Sequence, residues 1–416
     1  MNSKYSEAKK IVEKYGQQHL LNFYDKLTED KKEKLLDQIL SIDFEQVKKL
    51  YDNIQNHTEK KDNIIEPIEY LDKSKIDIKE KNHLDDIGKE IIKEGKLAAV
   101  TMAGGQGTRL GFNGPKGTYD IGLSSKKSLF ELLCDSLKEA NQKYNVTIPW
   151  YIMTSEENNA DTENFFKSKN YFGYPKENII FFKQGKFPMI DTNGKILLNE
   201  EGLIKEAADG HGGVYIAMLK NKVIEDMKKR GIDWIFIGGI DNVLVKMVDP
   251  TLIGLAIDKN VSAAGKSVVK AYPEEKVGVF CNKNGRPSVI EYTEMPKDMS
   301  TQKDNNGELK FGESHILCNL FNLKSIEKIS ENILPYHPAF KKANYLNNDG
   351  KIVEASEPNA YKFEAFLFDA FGTVDKMAVL RVKREEEFAP VKNSDDVNVD
   401  CPRTARQLYK KFYHLD

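Results

Sequence analysis

Past residue 96, short apolar and β-branched runs alternate with helical stretches, and this alternation constrains the fold more than any other feature of the chain. The runs "LAAVTMA" (97–103), "VTIPWYIMT" (146–154), "NIIFFKQ" (178–184), "DWIFIGG" (233–239) and "VSAAGKSVV" (261–269) read as strands. Between the first two lies the amphipathic "KSLFELLCDSLKEANQKY" (127–144). Strand–helix alternation implies a mostly parallel sheet covered on both faces, an α/β class. Ligands of such sheets bind beyond the carboxyl ends of the strands, near a switch in strand order. "GVFCNKNGRPSVIEYTE" (278–294) adds an antiparallel hairpin turning at Asn284-Gly285. "MAVLRVKR" (377–384) is the last strand, before a charged tail and a final helix.

Upstream, residues 1 to about 55 read as helix, with Leu20, Leu21, Phe23, Leu27, Leu35, Leu36, Ile39 and Leu40 recurring at three- and four-residue steps. Thr28 is the expected N-cap of "EDKKEKLLDQIL". Charged sequence to about residue 84 reads as a connector over the surface. The expected organisation is an N-terminal helical region with connector (1–90), a catalytic domain (91–385) and a short C-terminal segment (386–416).

The charges nearly cancel, 62 Lys and Arg against 64 Asp and Glu, which argues against broad nucleic-acid or membrane binding and makes any basic site local. No run of about 18 apolar residues and no signal-like start occurs, so a cytoplasmic location is expected. Cys134, Cys281, Cys318 and Cys401 lie far apart without CxxC spacing and read as reduced thiols.

The stretch "MAGGQGTRLGFNGPKG" (102–117) follows the first strand. It is not a GxGxxG fingerprint, because counting from Gly105 puts Leu110 at the third glycine. It is not a GxxxxGK[ST] loop either, because Lys116 lies between Pro115 and Gly117. What remains is a strand, a glycine-rich turn and two cations. Glycines admit close approach of backbone N–H groups to an anion and φ values other residues resist. Arg109 offers a planar fork and Lys116 a compact charge, a set suited to a nucleoside triphosphate. Asp241, beyond "WIFIGGI", is a hard oxygen ligand at a strand end, which suits Mg²⁺.

"AGGQGTRLG…PKG" resembles the signature of the eukaryotic-type UDP-sugar pyrophosphorylases, and within them is most similar to the UDP-N-acetylglucosamine pyrophosphorylases. The likeness continues through "YGQQHLLNFYDKL", "GTYDIGLSSKKSLFELL", "FFKQG", "DGHGGVY", "GIDNVLVKMVDP", "EYTEM", "YKFEAFLFDAF" and "REEEFAPVKNSDD", nearly the whole chain in the family's order. It implies a nucleotide-diphosphosugar transferase fold, Rossmann-like. It also implies conversion of UTP and a sugar 1-phosphate, N-acetylglucosamine or glucose 1-phosphate, to UDP-sugar and pyrophosphate with Mg²⁺. By the resemblance, Met102, Ala103, Gly104 and Gly105 contact uridine and phosphate, while Arg109 and Lys116 neutralise the triphosphate. Gln184 and Gly210 meet the base, and Asp241 holds the metal. Lys362 and Lys392 reach the α-phosphate and the sugar phosphate as electrostatic clamps. Glu291 with Tyr292, on the second hairpin strand, bind the sugar together with Gly278. Phe366 and Phe368 wall its pocket.

Two positions depart from the acetylglucosamine pattern. His211 replaces the asparagine of "GNGG", where "GHG" is more similar to UDP-glucose pyrophosphorylases, and His315 in "ESHILCN" replaces that of "GNIAN". Both fall near the sugar, so they bear on which sugar is chosen. The given sequence ends with "TARQLYKKFYHLD", short of the longer C-terminal lobe of many relatives, and a monomer is the expectation. One rival reading takes "FLFDAFGTVDK" (366–376) as a haloacid-dehalogenase-type phosphatase motif with Asp369 as nucleophile. Fewer than about 50 residues follow Asp369, few for the remaining motifs of such a domain. A non-catalytic nucleotide-binding protein is the other rival, and would be expected to lack the cations and the metal carboxylate.

Overall fold

The computed structural model describes residues 3–56, 63–332 and 334–415. By compactness the chain falls into two units: a smaller one of residues 1–62, 185–213 and 334–366, and a larger one of 63–184, 214–333 and 367–416. This division differs from the contiguous segments 1–90, 91–385 and 386–416, because the N-terminal helices bury their apolar stripes against two excursions from later in the chain.

In the smaller unit, helices Ser3–Lys14, Glu29–Ser41 and Phe44–Gln55 form where the three-to-four spacing places them. Val12, Leu20, Leu35, Leu36 and Ile39 share a core with Ile190, Ile196, Leu198, Ile204 and Phe363. Thr28 does occupy the N-cap position, but its side chain makes no capping bond; Asp43 caps the next helix by accepting from the Gln46 N–H. Two carboxamides stitch helices to the first excursion as strand neighbours would. Gln17 accepts from the Ile196 N–H and donates to Gly194 O, and Gln38 treats the Ile204 backbone in the same way. An antiparallel sheet runs Tyr336–Lys341, Ala360–Ala365, Ile190–Asp191.

The larger unit carries an 11-stranded sheet among the described residues. Its spine runs Leu71–Asp72, Ala378–Arg381, Ala263–Val269, Glu313–Asn322, Trp234–Gly239, Leu97–Met102, Trp150–Thr154, Ile179–Lys183. All pairings along it are parallel except those of Glu313–Asn322, which is antiparallel to both neighbours. The expected mixed, mostly parallel sheet is therefore present. Every residue of Leu97–Met102 and of Trp234–Gly239 is buried, as central parallel strands require. The second strand begins at Trp150 rather than Val146, directly after Pro149, which has no N–H to give a ladder. Helix Leu129–Tyr144 opens with a capping box between Ser128 and Glu131. The hairpin Val279–Lys283/Arg286–Ile290 turns at Asn284-Gly285, both at positive φ.

Residues 63–84 are more than a connector. Ile65–Pro67 pairs with Val279–Lys283, Leu71–Asp72 with Ala378–Arg381, and Asp77 caps a helix that begins at Ile78. Strands of two and three residues are too short for alternation to register in sequence, and the helix shows charge on most of its surface. The part of the expected connector at 57–62 lies outside the described residues. All four cysteines are buried and unpaired. Burial pushes the Cys134 and Cys318 thiols up to about 12 and that of Cys281 up to about 11. Among the described residues no helix is long and apolar enough to cross a membrane.

Candidate active site

Parallel register brings three candidate segments to one edge of the larger unit's sheet. Met102 pairs with Gly239 on one side and Met153 on the other, and Thr154 pairs with Lys183. The glycine-rich loop, Asp241 and Gln184 therefore all leave the carboxyl ends of neighbouring parallel strands, where α/β sheets bind ligands.

The loop's glycines serve different ends. A Cβ on Gly104 would lie 2.3 Å from Gln184 Oε1, so glycine is what lets the Gln184 carboxamide lie against the loop. Of the glycines flanking Arg109, Gly111 has a positive φ, whereas Gly104, Gly105 and Gly107 do not, which narrows the φ argument made from sequence. A Cβ on Gly105 would meet no protein atom within 4 Å, so neither φ nor internal packing demands glycine there. The loop closes on itself through Gly107 N–H to Gly114 O (2.9 Å) and Lys116 N–H to Gly105 O (3.1 Å).

Beneath it lies Asn158, which the sequence reading missed. Its fully buried carboxamide accepts from the Ser155 N–H at 2.8 Å and donates to Ala103 O at 2.9 Å and Gly105 O at 3.3 Å. In a trans peptide the carbonyl and the following N–H point opposite ways. Fixing those two carbonyls turns the N–H groups of Gly104 and Gln106 to the other side of the loop. "TSEEN" carries a local turn signal for Asn158, but nothing local points to the loop more than 50 residues earlier.

The cations converge. Lys116 is partly buried, and its ammonium is held below the ordinary lysine value chiefly by burial, with Lys392 and Arg109 adding repulsion and Asp241 opposing them. Arg109 is exposed, in the turn Thr108–Leu110. Lys392 arrives because its segment pairs with the Asp241 turn: Val391 N–H donates to Asp241 O at 2.8 Å. A Cβ on Gly239 would lie 2.7 Å from Asp241 Oδ1, so glycine clears room for that carboxylate. No group of three or more His, Cys, Asp or Glu able to hold a metal occurs among the described residues. Asp241, the expected metal ligand, would therefore act outside any such cluster. It fits a hard ion that completes its shell with phosphate oxygens and water rather than one caged by protein.

Several sugar candidates also meet in this unit. A Cβ on Gly278 would lie 3.0 Å from Glu291 Oε1, and the His315 N–H donates to Gly278 O at 2.9 Å. Glu291 lies just past the hairpin strand, which ends at Ile290, and neither it nor the exposed Tyr292 is on the strand as expected. The His315 ring packs edge-on against Phe280, Phe368 and Phe371, and its Nε2 lies 2.9 Å from Asn319 Oδ1. Phe368, expected as a pocket wall, is 5% exposed and belongs to the core.

Gly210, His211, Lys362 and Phe366 belong to the smaller unit. Gly210 has φ +87° and abuts Ala365, where a Cβ would lie 2.4 Å from the carbonyl oxygen. The Phe366 ring stacks with His211 at 5.6 Å and with His337 at 4.5 Å. Lys362 Nζ pairs with Glu364 Oε1 at 2.6 Å, and Glu364 stands opposite His337 in the ladder. His337 was not singled out from "LPYHPAF", where a lone histidine between prolines gives no signal.

Asp369 lies in the turn Leu367–Thr373, and the strand before it, Ala360–Ala365, belongs to an antiparallel sheet. A dehalogenase-type nucleophile at the end of a parallel strand is therefore not what this segment forms.

The family model described as UTP--glucose-1-phosphate uridylyltransferase matches residues 44–406. A probable UDP-N-acetylglucosamine pyrophosphorylase of Dictyostelium discoideum is 37% identical over 421 aligned positions, covering 95% of this chain and 86% of that one. The UDP-N-acetylglucosamine pyrophosphorylase of Saccharomyces cerevisiae is 42% identical over 344, covering 80% and 72%. Among solved structures, the uridine diphosphate N-acetylglucosamine pyrophosphorylase of Trypanosoma brucei, in complex with an inhibitor, superposes with a TM-score of 0.84 at 31% identity. That match covers 98% of this chain and 84% of the other. With the strand-end loop, the convergent cations and these likenesses in hand, the chain belongs to the UDP-sugar pyrophosphorylase family, a family of uridylyltransferases.

Proposed function

We propose that this protein transfers the uridylyl group of UTP to a sugar 1-phosphate, with N-acetylglucosamine 1-phosphate as the principal acceptor and glucose 1-phosphate as its competitor. The observation that carries the reading is the convergence of the glycine-rich loop, Asp241, Lys116 and Lys392 beyond one edge of a parallel sheet. The names of the relatives support the acetylated sugar.

In the reaction an oxygen of the sugar phosphate attacks the α-phosphorus in line, and the bond to pyrophosphate breaks with its electron pair leaving on pyrophosphate. The attacking oxygen is already anionic, so the protein's tasks are alignment and neutralisation of charge. The loop offers its N–H groups to the triphosphate, and the openness at Gly105 suits a phosphate that approaches the backbone closely. Gln184, against Gly104, presents both a donor and an acceptor to the imide edge of uracil. Lys116 and Arg109 balance the triphosphate, and Lys392 the acceptor phosphate. Asp241 is the residue that would hold Mg²⁺, whose charge would offset that of the phosphates.

The test is pyrophosphate release from UTP and Mg²⁺ with N-acetylglucosamine, glucose, N-acetylgalactosamine and galactose 1-phosphates side by side. Release with the first fastest is expected; no release with any of them refutes the assignment. His211→Asn combined with His315→Asn is expected to change the ratio of kcat/KM between acetylated and plain glucose 1-phosphate by about 10-fold, the scale of a lost or gained pocket contact. An unchanged ratio would remove both histidines from sugar selection. Asn158→Ala should raise KM for UTP about 10-fold while moving kcat less, because the loop loses the bonds that aim its N–H groups. Initial rates across UTP concentrations decide it.

A further inference from the structure

We propose that Asn242 is a positioning residue that holds Asp241 and Lys392 in one fixed register, by clamping the turn after Trp234–Gly239 to the Glu387–Lys392 segment. This rests on the uridylyltransferase reading, in which both of those side chains act on phosphate.

Asn242 is 4% exposed, and its carboxamide makes three hydrogen bonds, all to backbone. Its Nδ2 donates to Glu387 O at 2.7 Å, and its Oδ1 accepts from the Ala389 N–H at 2.9 Å and the Leu244 N–H at 3.2 Å. The bond to Leu244 is an ordinary local turn bond. The other two cross to a segment more than 140 residues later. There Asn242 stands opposite Pro390 as a non-hydrogen-bonded antiparallel pair, so the proline's missing N–H, which would point away from Asn242, costs this pairing nothing. The backbone pairs on either side, with Val243 N–H to Ala389 O at 3.2 Å and Val391 N–H to Asp241 O at 2.8 Å. The carboxamide adds two further cross-links to that pairing. Asp241 and Lys392 thus flank a short, fully bonded stitch.

The far segment is also anchored from behind. The Glu387 carboxylate accepts from Lys266 Nζ at 2.5 Å, and Lys266 pairs with Asp249 at 2.8 Å, all three groups being buried. Asp249 in turn caps helix Pro250–Asp258 by accepting from the Thr251 N–H and pairs with Lys73. Glu387 is therefore held by its carbonyl at Asn242 and by its carboxylate at Lys266. The segment that carries Lys392 has no loose end at its start, and Asn242 reinforces the backbone bonds that tie it to the Asp241 turn.

The test is a double-mutant cycle on pyrophosphate release, with Asn242→Ala, Lys392→Ala and the pair. Asn242→Ala should lower kcat about 10- to 100-fold, the scale of a misplaced reacting group, with KM for UTP changed less than about threefold. The pair should be little slower than Lys392→Ala alone, because the clamp matters through the lysine it places. Multiplicative losses would overturn the inference while leaving the uridylyltransferase reading intact. A Lys392→Ala enzyme at full rate would instead overturn the lysine's place in that reading, and the clamp with it. Asn242→Ser, whose hydroxyl can still serve the local turn but is too short to bridge both Glu387 and Ala389, is a milder second variant expected to fall between wild type and Asn242→Ala. Independently of any variant, the Ala389 and Val391 amides of the wild-type protein should exchange as slowly as those of the central strands. Exchange at the rate of an exposed loop would refute the clamp.

Discussion

Asp241→Ala is expected to lower Mg²⁺-dependent pyrophosphate release by at least about 10³-fold, the loss of several kcal/mol of charge stabilisation at the phosphates. The effect should be this large because one protein carboxylate is assigned to the ion, and no group of three or more His, Cys, Asp or Glu able to hold a metal occurs among the described residues. The fold should survive. What ties this turn to its neighbour is the Asp241 carbonyl, which accepts from the Val391 N–H and is retained in alanine, together with the Asn242 side chain. Rates over a Mg²⁺ titration, with a melting curve for each protein, make the measurement. Undiminished turnover at low Mg²⁺ in the variant would refute the metal assignment.

Lys116→Ala is expected to slow turnover by about 10²–10³-fold, as loss of a charge partner for the departing pyrophosphate would. Its thermal behaviour separates this role from a structural one. Burial, with Lys392 and Arg109 nearby, holds the Lys116 ammonium below its ordinary value of 10.5. A cation whose pKa is depressed by folding opposes folding fully at pH values below its folded pKa. That opposition fades as pH rises toward 10.5, where the unfolded chain also loses the proton. Removing the amine should therefore not lower Tm at neutral pH. Because the charged form is the one that grips phosphate, kcat/KM for UTP should fall on the alkaline side earlier than an ordinary lysine would allow. Lys116→Arg, permanently charged, should move that limb upward. A large drop in Tm with Lys116→Ala, or a pH profile indifferent to Lys116→Arg, would contradict this account.

Much of the candidate site was legible because its parts follow strong strands. The buried runs ending at Met102, Lys183 and Gly239 announce themselves by composition, and the loop, Gln184 and Asp241 come directly after them. The hairpin at Asn284-Gly285 was legible for the same local reason, since two consecutive positive φ values favour that pair. Short strands such as Leu71–Asp72 were not, because two residues carry no periodicity. Glu291 was placed one element too early, since the run "SVIEY" continues in sequence after the ladder has ended at Ile290.

By itself the sequence determined the local grammar of this protein: which stretches become buried parallel strands, where helices are capped, and which charged and glycine residues stand at strand ends. These depend on neighbours a few residues away, and periodicity and turn chemistry record them. Only the tertiary structure decided why Gly104 must be glycine beneath Gln184, why Asn158 aims the loop, and that Asn242 binds Lys392's segment. It also decided that helices 1–55 share a core with residues 185–213 and 334–366. Each of these joins groups some 50 to 350 residues apart, through contacts of a few ångströms that depend on the path of the whole chain and leave no mark in local pattern.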